Sequence, residues 1–371
     1  MKRTIAIILA LCMMFALCAC GQKADAPASE PAAAPANAPT AAPAEETATD
    51  ILEAKPIPEG ARVLQLGHND PASPDNAYQI LAVKFADYML ENSNGTIGVE
   101  IYPNSALGAE RERIEGLGLG TLDLSISANQ YISGFIDDFK VYDLPYIYGL
   151  NNVDGAIAAF TDPEIIGPMK DKLRDEFGAV LLASGSLGFR HVINDAKQIK
   201  TVDDISGMKI RVPEVPSLVK TFEAWGSNPT AVAWAECYPV VQQKTVDGLE
   251  IPLGSIVSSH FDDICRYVTL TYHGYQVLHI LASGPVWDSL TPEEQGWFQD
   301  AAERAAKDQL AALEEIDARL LEGIKAKGVI VDEMENPDAW IEAVQPVYED
   351  FAQIIGWDLI NKVKEVAAAA S

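Results

Sequence analysis

Positive charge is scarce in this sequence. Its 371 residues carry 27 Lys and Arg against 54 Asp and Glu, a formal charge of −27 at pH 7. So acidic a balance excludes nucleic acid and anionic lipid headgroups as partners. It also requires that an anionic ligand be held by local positive charge against the field of the whole chain. Histidine is equally sparse: His68, His191, His260, His273 and His279 are the full set, and their spacing is not that of metal ligands. H-E-x-x-H, C-x-x-C, G-x-S-x-G and a Walker loop are missing, which removes the common metallohydrolase, redox, serine-hydrolase and nucleotide-hydrolase signatures. Gly116, Gly118 and Gly120 form G-x-G-x-G at the end of a predicted helix leading into a strand. That is the reverse of a dinucleotide fingerprint, so they read as a helix stop. The neighbouring acids Asp262 and Asp263 read as a solvated loop. No cofactor and no metal are expected. No apolar run reaches the roughly 20 residues needed to span a bilayer, and there is no internal repeat.

What is present begins at the N-terminus. Lys2 and Arg3 precede an apolar stretch over residues 5–19, the charged and apolar regions of a signal peptide. The stretch ends Leu17-Cys18-Ala19-Cys20-Gly21, which resembles the lipobox of bacterial lipoproteins, with Cys20 as the lipid acceptor and Cys18 where Ala, Ser or Thr is more usual. The alternative is an ordinary secretory signal with incidental cysteines. Residues 1–19 are expected to leave as the signal peptide and 20–59 to form a lipidated tether. Pro27, Pro31, Pro35, Pro39 and Pro43 are spread among alanines there. With almost no bulky apolar side chain, the segment cannot offset its ordering entropy. Cys237 and Cys265 remain in the folded part, either paired or as two small buried hydrophobes.

The rest reads as α/β. A strand over 63–66 is followed by a helix with Ser73 as N-cap and Pro74 at its first turn, carrying Leu81, Phe85 and Met89 on one face and stopping at Asn94-Gly95. Ile97, Val99 and Ile101 alternate as the next strand, which makes β-α-β, the unit of a mostly parallel sheet. A helix over 109–119 leads to a third strand through Leu122, Leu124 and Ile126. Residues 180–183, 209–212 and 248–251 read as further short strands. Thr291-Pro292-Glu293-Glu294 is a capping box, and Leu310, Leu313, Ile316, Leu320 and Ile324 continue one apolar stripe to about residue 327. Such a helix is roughly 50 Å long, enough to span two lobes. A second helix opens at Asn336-Pro337 and runs through Trp340, Val344 and Val347.

Several stretches stand in one order over residues 60 to about 350. They include Leu66-Gly67-His68, Tyr102-Pro103-Asn104-Ser105-Ala106-Leu107-Gly108, Asp143-Leu144-Pro145-Tyr146 and Gly188-Phe189-Arg190. Farther on come Gly207-Met208-Lys209-Ile210-Arg211-Val212-Pro213, Gly226-Ser227-Asn228-Pro229-Thr230, Val246-Asp247-Gly248-Leu249-Glu250-Ile251-Pro252 and Leu270-Thr271-Tyr272-His273. Together they resemble the DctP family, the solute-binding proteins of tripartite ATP-independent periplasmic (TRAP) transporters. The resemblance implies a two-lobed periplasmic-binding-protein fold, type II-like, with a long helix spanning both lobes. Lobe 1 would comprise 60–187 with 277–316, and lobe 2 188–276 with 317–371. It further implies a non-enzyme that captures a small carboxylate and delivers it to the small and large membrane subunits. The protein would be anchored by lipid at the outer face of the cytoplasmic membrane. A sensor-coupled binding protein and a secreted lipoprotein enzyme are the rival readings.

By the same resemblance Arg211 grips the ligand carboxylate, as a rigid two-donor guanidinium can. Arg190 helps orient the acid or else forms a stabilising ion pair; Trp234 walls the ligand or packs in the core; Asn69 and His273 face the cleft in some relatives. Two departures bear on the substrate. Ile251 stands where many relatives have a ligand-binding Asn, and Ala128 where the sialic-acid binders carry a glutamate. A sugar acid is therefore disfavoured, and Trp234 with Ile251 points to an acid whose far end is apolar or aromatic. The motif around the second glutamate differs from that of the branch that binds keto acids with a metal.

Overall fold

The computed structural model describes residues 52–370; the expected signal peptide, the expected lipid acceptor Cys20 and most of the expected tether lie outside the described residues. The strands among these are β1 (Arg62–Gly67), β2 (Ile97–Tyr102), β3 (Leu124–Ala128), β4 (Ala179–Asn194) and β5 (Lys209–Val212). They continue with β6 (Asn228–Ala231), β7 (Gly248–Pro252), β8 (Tyr267–Leu270), β9 (Tyr275–Ser283) and β10 (Ile330–Glu333). The opening β-α-β unit is as the alternation predicts. Arg62 pairs with Ile97 and Gly67 with Tyr102 in parallel register, and the helix Ala77–Asn92 buries Leu81, Phe85 and Met89 completely. Its cap differs from the expectation. Asn76, not Ser73, closes the helix, because its side-chain oxygen accepts from the N–H groups of both Tyr78 and Gln79. The glycine stop is real: Gly120, at φ 74°, ends the helix Glu110–Leu119 in the left-handed region that glycine adopts without strain.

The strands follow the order β2-β1-β3-β9-β4-β7-β5-β6, with β8 on the end of β4 and β10 beyond it. β4 is the joint. From Ala179 to Phe189 it pairs with β9; from Arg190 to Asn194 it pairs with β7 and β8 instead. The sequence shows a short strand at 180–183 because Gly185, Ser186 and Gly188 interrupt the apolar pattern beyond it. A strand serving two sheets has no single buried face to advertise. The two sheets, each with helices packed on it, form the two α/β lobes.

The helix Pro292–Ala326 crosses between them. Thr291 accepts from the N–H of Glu294, and the Glu294 carboxylate accepts from the N–H of Thr291, the reciprocal cap that the sequence announces. Phe298, Ala302 and Leu313 of this helix belong to the core beneath β1–β3, and Ile324 to the core beneath β7 and β8. The C-terminal helix of the sequence reading is three: Pro337–Ala343, Gln345–Ile355 and Trp357–Ala369. Pro346 lacks the N–H that would continue the first of them and so opens the second. Cys237 and Cys265 are both buried and free.

Candidate functional site

The lobes meet over a cavity of about 30 Å³ walled from both sides. Asn69 and Asp70, just beyond β1, come from the first lobe with Tyr78 and Glu110; Arg211, Trp234, Ile251 and Ser255 come from the second; Arg190 and Gln276 stand at the crossing strands. Five of the six predicted residues are therefore brought together. His273 is not among them. Fully buried, it stands behind the wall, its ring edge-on to Phe222 and Trp225 at 5.4 and 5.6 Å.

The two arginines differ in how their charge is met. Arg190 is compensated within the protein. Its Nε and Nη2 donate to the two carboxylate oxygens of Glu250 at 2.5 and 2.7 Å, and Nη2 also reaches the Glu250 carbonyl at 3.0 Å. Nη1 meets the side-chain oxygens of Gln276 and Gln130. Burial pushes the Glu250 carboxyl upward, but the Arg190 guanidinium and the hydrogen bonds from His273 and Arg190 reverse this and hold it below its ordinary range. His273 Nε2 lies 3.1 Å from the same carboxylate, and Nδ1 lies 2.8 Å from the Thr271 hydroxyl. Burial lowers this histidine, against the pull of Glu250. A carboxylate can only accept, so the neutral ring donates from Nε2 and receives from Thr271 at Nδ1. His273 thus orients Glu250, which orients Arg190.

Arg211 has no such partner. Its Nε and Nη2 both donate to the Val232 carbonyl, at 3.0 and 2.6 Å, and its guanidinium carbon lies 5.9 Å from the Trp234 ring centroid. The side chain is 1 % exposed, and no carboxylate among the described residues forms an ion pair with it. A buried cation without a counter-charge is costly unless an anion joins it.

Opposite the arginines the wall is acidic and polar. Glu110, on the first turn of its helix, accepts from the N–H of Ala128 at 2.5 Å, from Asn69 and from the Tyr78 hydroxyl. Burial raises its carboxyl to about 7 in spite of Arg113 and these bonds. Asp70, also raised by burial, accepts from Asn76 at 2.8 Å and, across the seam between the lobes, from Ser255 at 3.0 Å. The sequence reading missed Glu110, Asp70, Gln130, Ser255 and Gln276. The Glu110 carboxylate, from another element, sits on the N–H of Ala128.

Residues 67–354 match the DctP family, bacterial extracellular solute-binding protein family 7. A solute-binding protein of Verminephrobacter eiseniae is 31% identical over 297 residues, 79% of this chain and 87% of the relative. Among solved structures, a TRAP periplasmic solute-binding protein from a Polaromonas species, bound to D-erythronate, superposes with a TM-score of 0.77 at 29% identity, covering 82% of this chain and 98% of that one. The sugar-acid-binding protein of Advenella mimigardefordensis, in complex with galactonate, gives 0.79 at 28% identity, covering 84% and 99%. With its two lobes, crossing strands and spanning helix, the chain belongs to the DctP family of extracellular solute-binding proteins, which bind solutes and are not enzymes.

Proposed function

We propose that this protein captures a small hydroxylated carboxylic acid between its lobes and hands it to the membrane subunits of a TRAP transporter. The observation that carries this reading is Arg211, a buried guanidinium that no carboxylate among the described residues neutralises. The ligand carboxylate supplies the missing charge and takes the fork of donors that Val232 leaves free. Arg190, its donors held by Glu250, Gln276 and Gln130, adds positive charge at the cleft, Trp234 and Ile251 close the apolar side, and Asn69 stands by the opposite wall. The far end of the ligand meets Glu110, Asp70 and Ser255, groups suited to hydroxyls. This favours a polyol acid over the apolar acid expected from Trp234 with Ile251. Erythronate and galactonate, bound by the two structural relatives, are of this kind.

A space of about 30 Å³ holds a water or two and no organic acid, so the lobes, 60–187 with 277–316 and 188–276 with 317–371, part to admit the ligand. Asp70 to Ser255 and Asn76 to Ser258, at 3.0 and 3.1 Å, are bonds remade on closure. No helix among the described residues is long and apolar enough to cross a membrane; in this reading Cys20 carries the lipid that holds the protein at the outer face of the cytoplasmic membrane.

Thermal unfolding of the folded part, from about residue 52, with D-galactonate, D-erythronate, their neutral amides and an aromatic monocarboxylate tests the reading. Binding to the native state alone raises the midpoint. A rise with a hydroxy acid and none with its amide is expected; a rise equal for acid and amide, or none with any acid, refutes carboxylate capture. Glu110→Gln separates the second half of the claim. A charged hydrogen bond contributes about 1.5–3 kcal/mol. By calorimetry the substitution should therefore weaken galactonate about 10- to 100-fold, and leave a deoxy acid of similar length within about twofold.

A further inference from the structure

The carboxyl of Asp317 takes no part in the cleft, yet it lies where the lobes join. Asp317 is on the long helix, next to Ile316, and opposite it is Gly188, where β4 passes from β9 to β7. Gly188 is marked as the place where β4 bends. Its φ is +86°, the register with β9 slips between Ser186 and Gly188, and its N–H donates to the Ser186 hydroxyl at 2.9 Å. A Cβ built on Gly188 would lie 2.7 Å from Asp317 Oδ2, so the carboxyl rests on bare backbone and a side chain at 188 would displace it. The residue is only partly buried as a whole, but Oδ1 is shut off from solvent and has no hydrogen-bond partner. The titratable group facing it is Tyr275 on β9, which feels Asp317 and, more weakly, Asp154 of the helix Val153–Thr161. No Lys, Arg or His of β4, β9 or the long helix acts on it; removal from water is the one influence, and it pushes the carboxyl up to about 7. A polar group left unpaired where the two sheets join calls for an explanation beyond packing.

We propose that Asp317 links lobe closure to proton uptake: closing presses its carboxyl against Gly188 in protonated form, so the protein holds its acid more tightly as the surroundings acidify. This rests on the reading that the lobes part and close around a carboxylate. When they part, the carboxyl reaches water and returns toward its ordinary 3.8. Between that value and about 7 the closed form binds more protons than the open one. Affinity therefore falls as pH rises through this window and levels off above it, by at most about tenfold per pH unit for one proton. Glu110, raised to about 7, and Asp143, raised to about 6, titrate near the cleft in the same window. The test must isolate the Asp317 share.

Calorimetric titration of D-galactonate at pH 6, in two buffers of different ionisation heat, counts the protons taken up on binding. Wild type is expected to take up roughly half to one proton more than Asp317→Asn. Between pH 5.5 and 7, wild type should lose about tenfold more affinity than the variant, whose fold is checked by circular dichroism. Equal uptake and parallel pH profiles would overturn the proposal. A fluorophore pair, one on an exposed position of each lobe, reads closure without ligand. Acidification should raise the closed fraction in wild type and leave Asp317→Asn at the acid value, and a pH-independent distance in wild type would likewise overturn it. Failure of wild type to bind any acid would instead sink carboxylate capture, with the distance measurement still deciding the hinge.

Discussion

Replacing Arg211 by alanine is expected to weaken binding of a hydroxy acid by about 100- to 10,000-fold, the loss of two charged hydrogen bonds at about 1.5–3 kcal/mol each. Arg211→Lys should recover only part of this. A lysine brings the charge but not the planar fork, and it cannot both hold the Val232 carbonyl with two donors and present two more to a carboxylate. The unliganded protein should behave in the opposite sense. Because the Arg211 charge forms no ion pair among the described residues, the alanine variant leaves no carboxylate stranded, and its unfolding midpoint should match or exceed that of wild type. Isothermal titration and thermal unfolding together check both halves. An alanine variant that bound the acid with wild-type affinity would remove Arg211 from the site altogether.

The parts of the fold that were legible in the sequence are those in which one local pattern has one physical cause. Thr291 and Glu294 cap each other, Gly120 stops a helix, and Leu81, Phe85 and Met89 share a face whatever lies beneath them. β4 was illegible past residue 183 because its two halves answer to different partners, and the glycines and serine that allow the change look like a loop. Asn76 displaced Ser73 as a cap through two competing hydrogen bonds that the sequence does not rank. In the site, Arg211 was legible from its motif, Lys-Ile-Arg-Val-Pro. Glu110 was not, since nothing local says that the first turn of its helix ends against the N–H of Ala128. His273 was expected at the cleft and stands behind Glu250 and Arg190. The order His273, Glu250, Arg190 is assembled from β7, β4 and the segment before β9, which no spacing along the chain encodes.

That relay carries the other large expected effect. Glu250→Ala removes the acceptor of both Arg190 and His273, and Arg190 is left 4 % exposed with its charge unmet except by neutral oxygens. Breaking a buried pair from one side costs about 3–5 kcal/mol, so the variant should unfold at markedly lower denaturant. Its affinity should fall as well, as Arg190 is no longer held toward the cleft. Arg190→Met combined with Glu250→Leu separates these effects. Removing both charges restores most of the stability, since no ion is then buried alone, while binding stays weak if Arg190 helps hold the acid. The sign with pH follows from Glu250 lying below its ordinary 4.5 in the folded protein. The pair's contribution is fully present above that value and is lost as pH falls through the lowered one. Acid unfolding of wild type should thus begin below about pH 4.5 and be far less steep in the double variant. A double variant as unstable as Glu250→Ala alone would show that packing, and not the stranded charge, sets the cost.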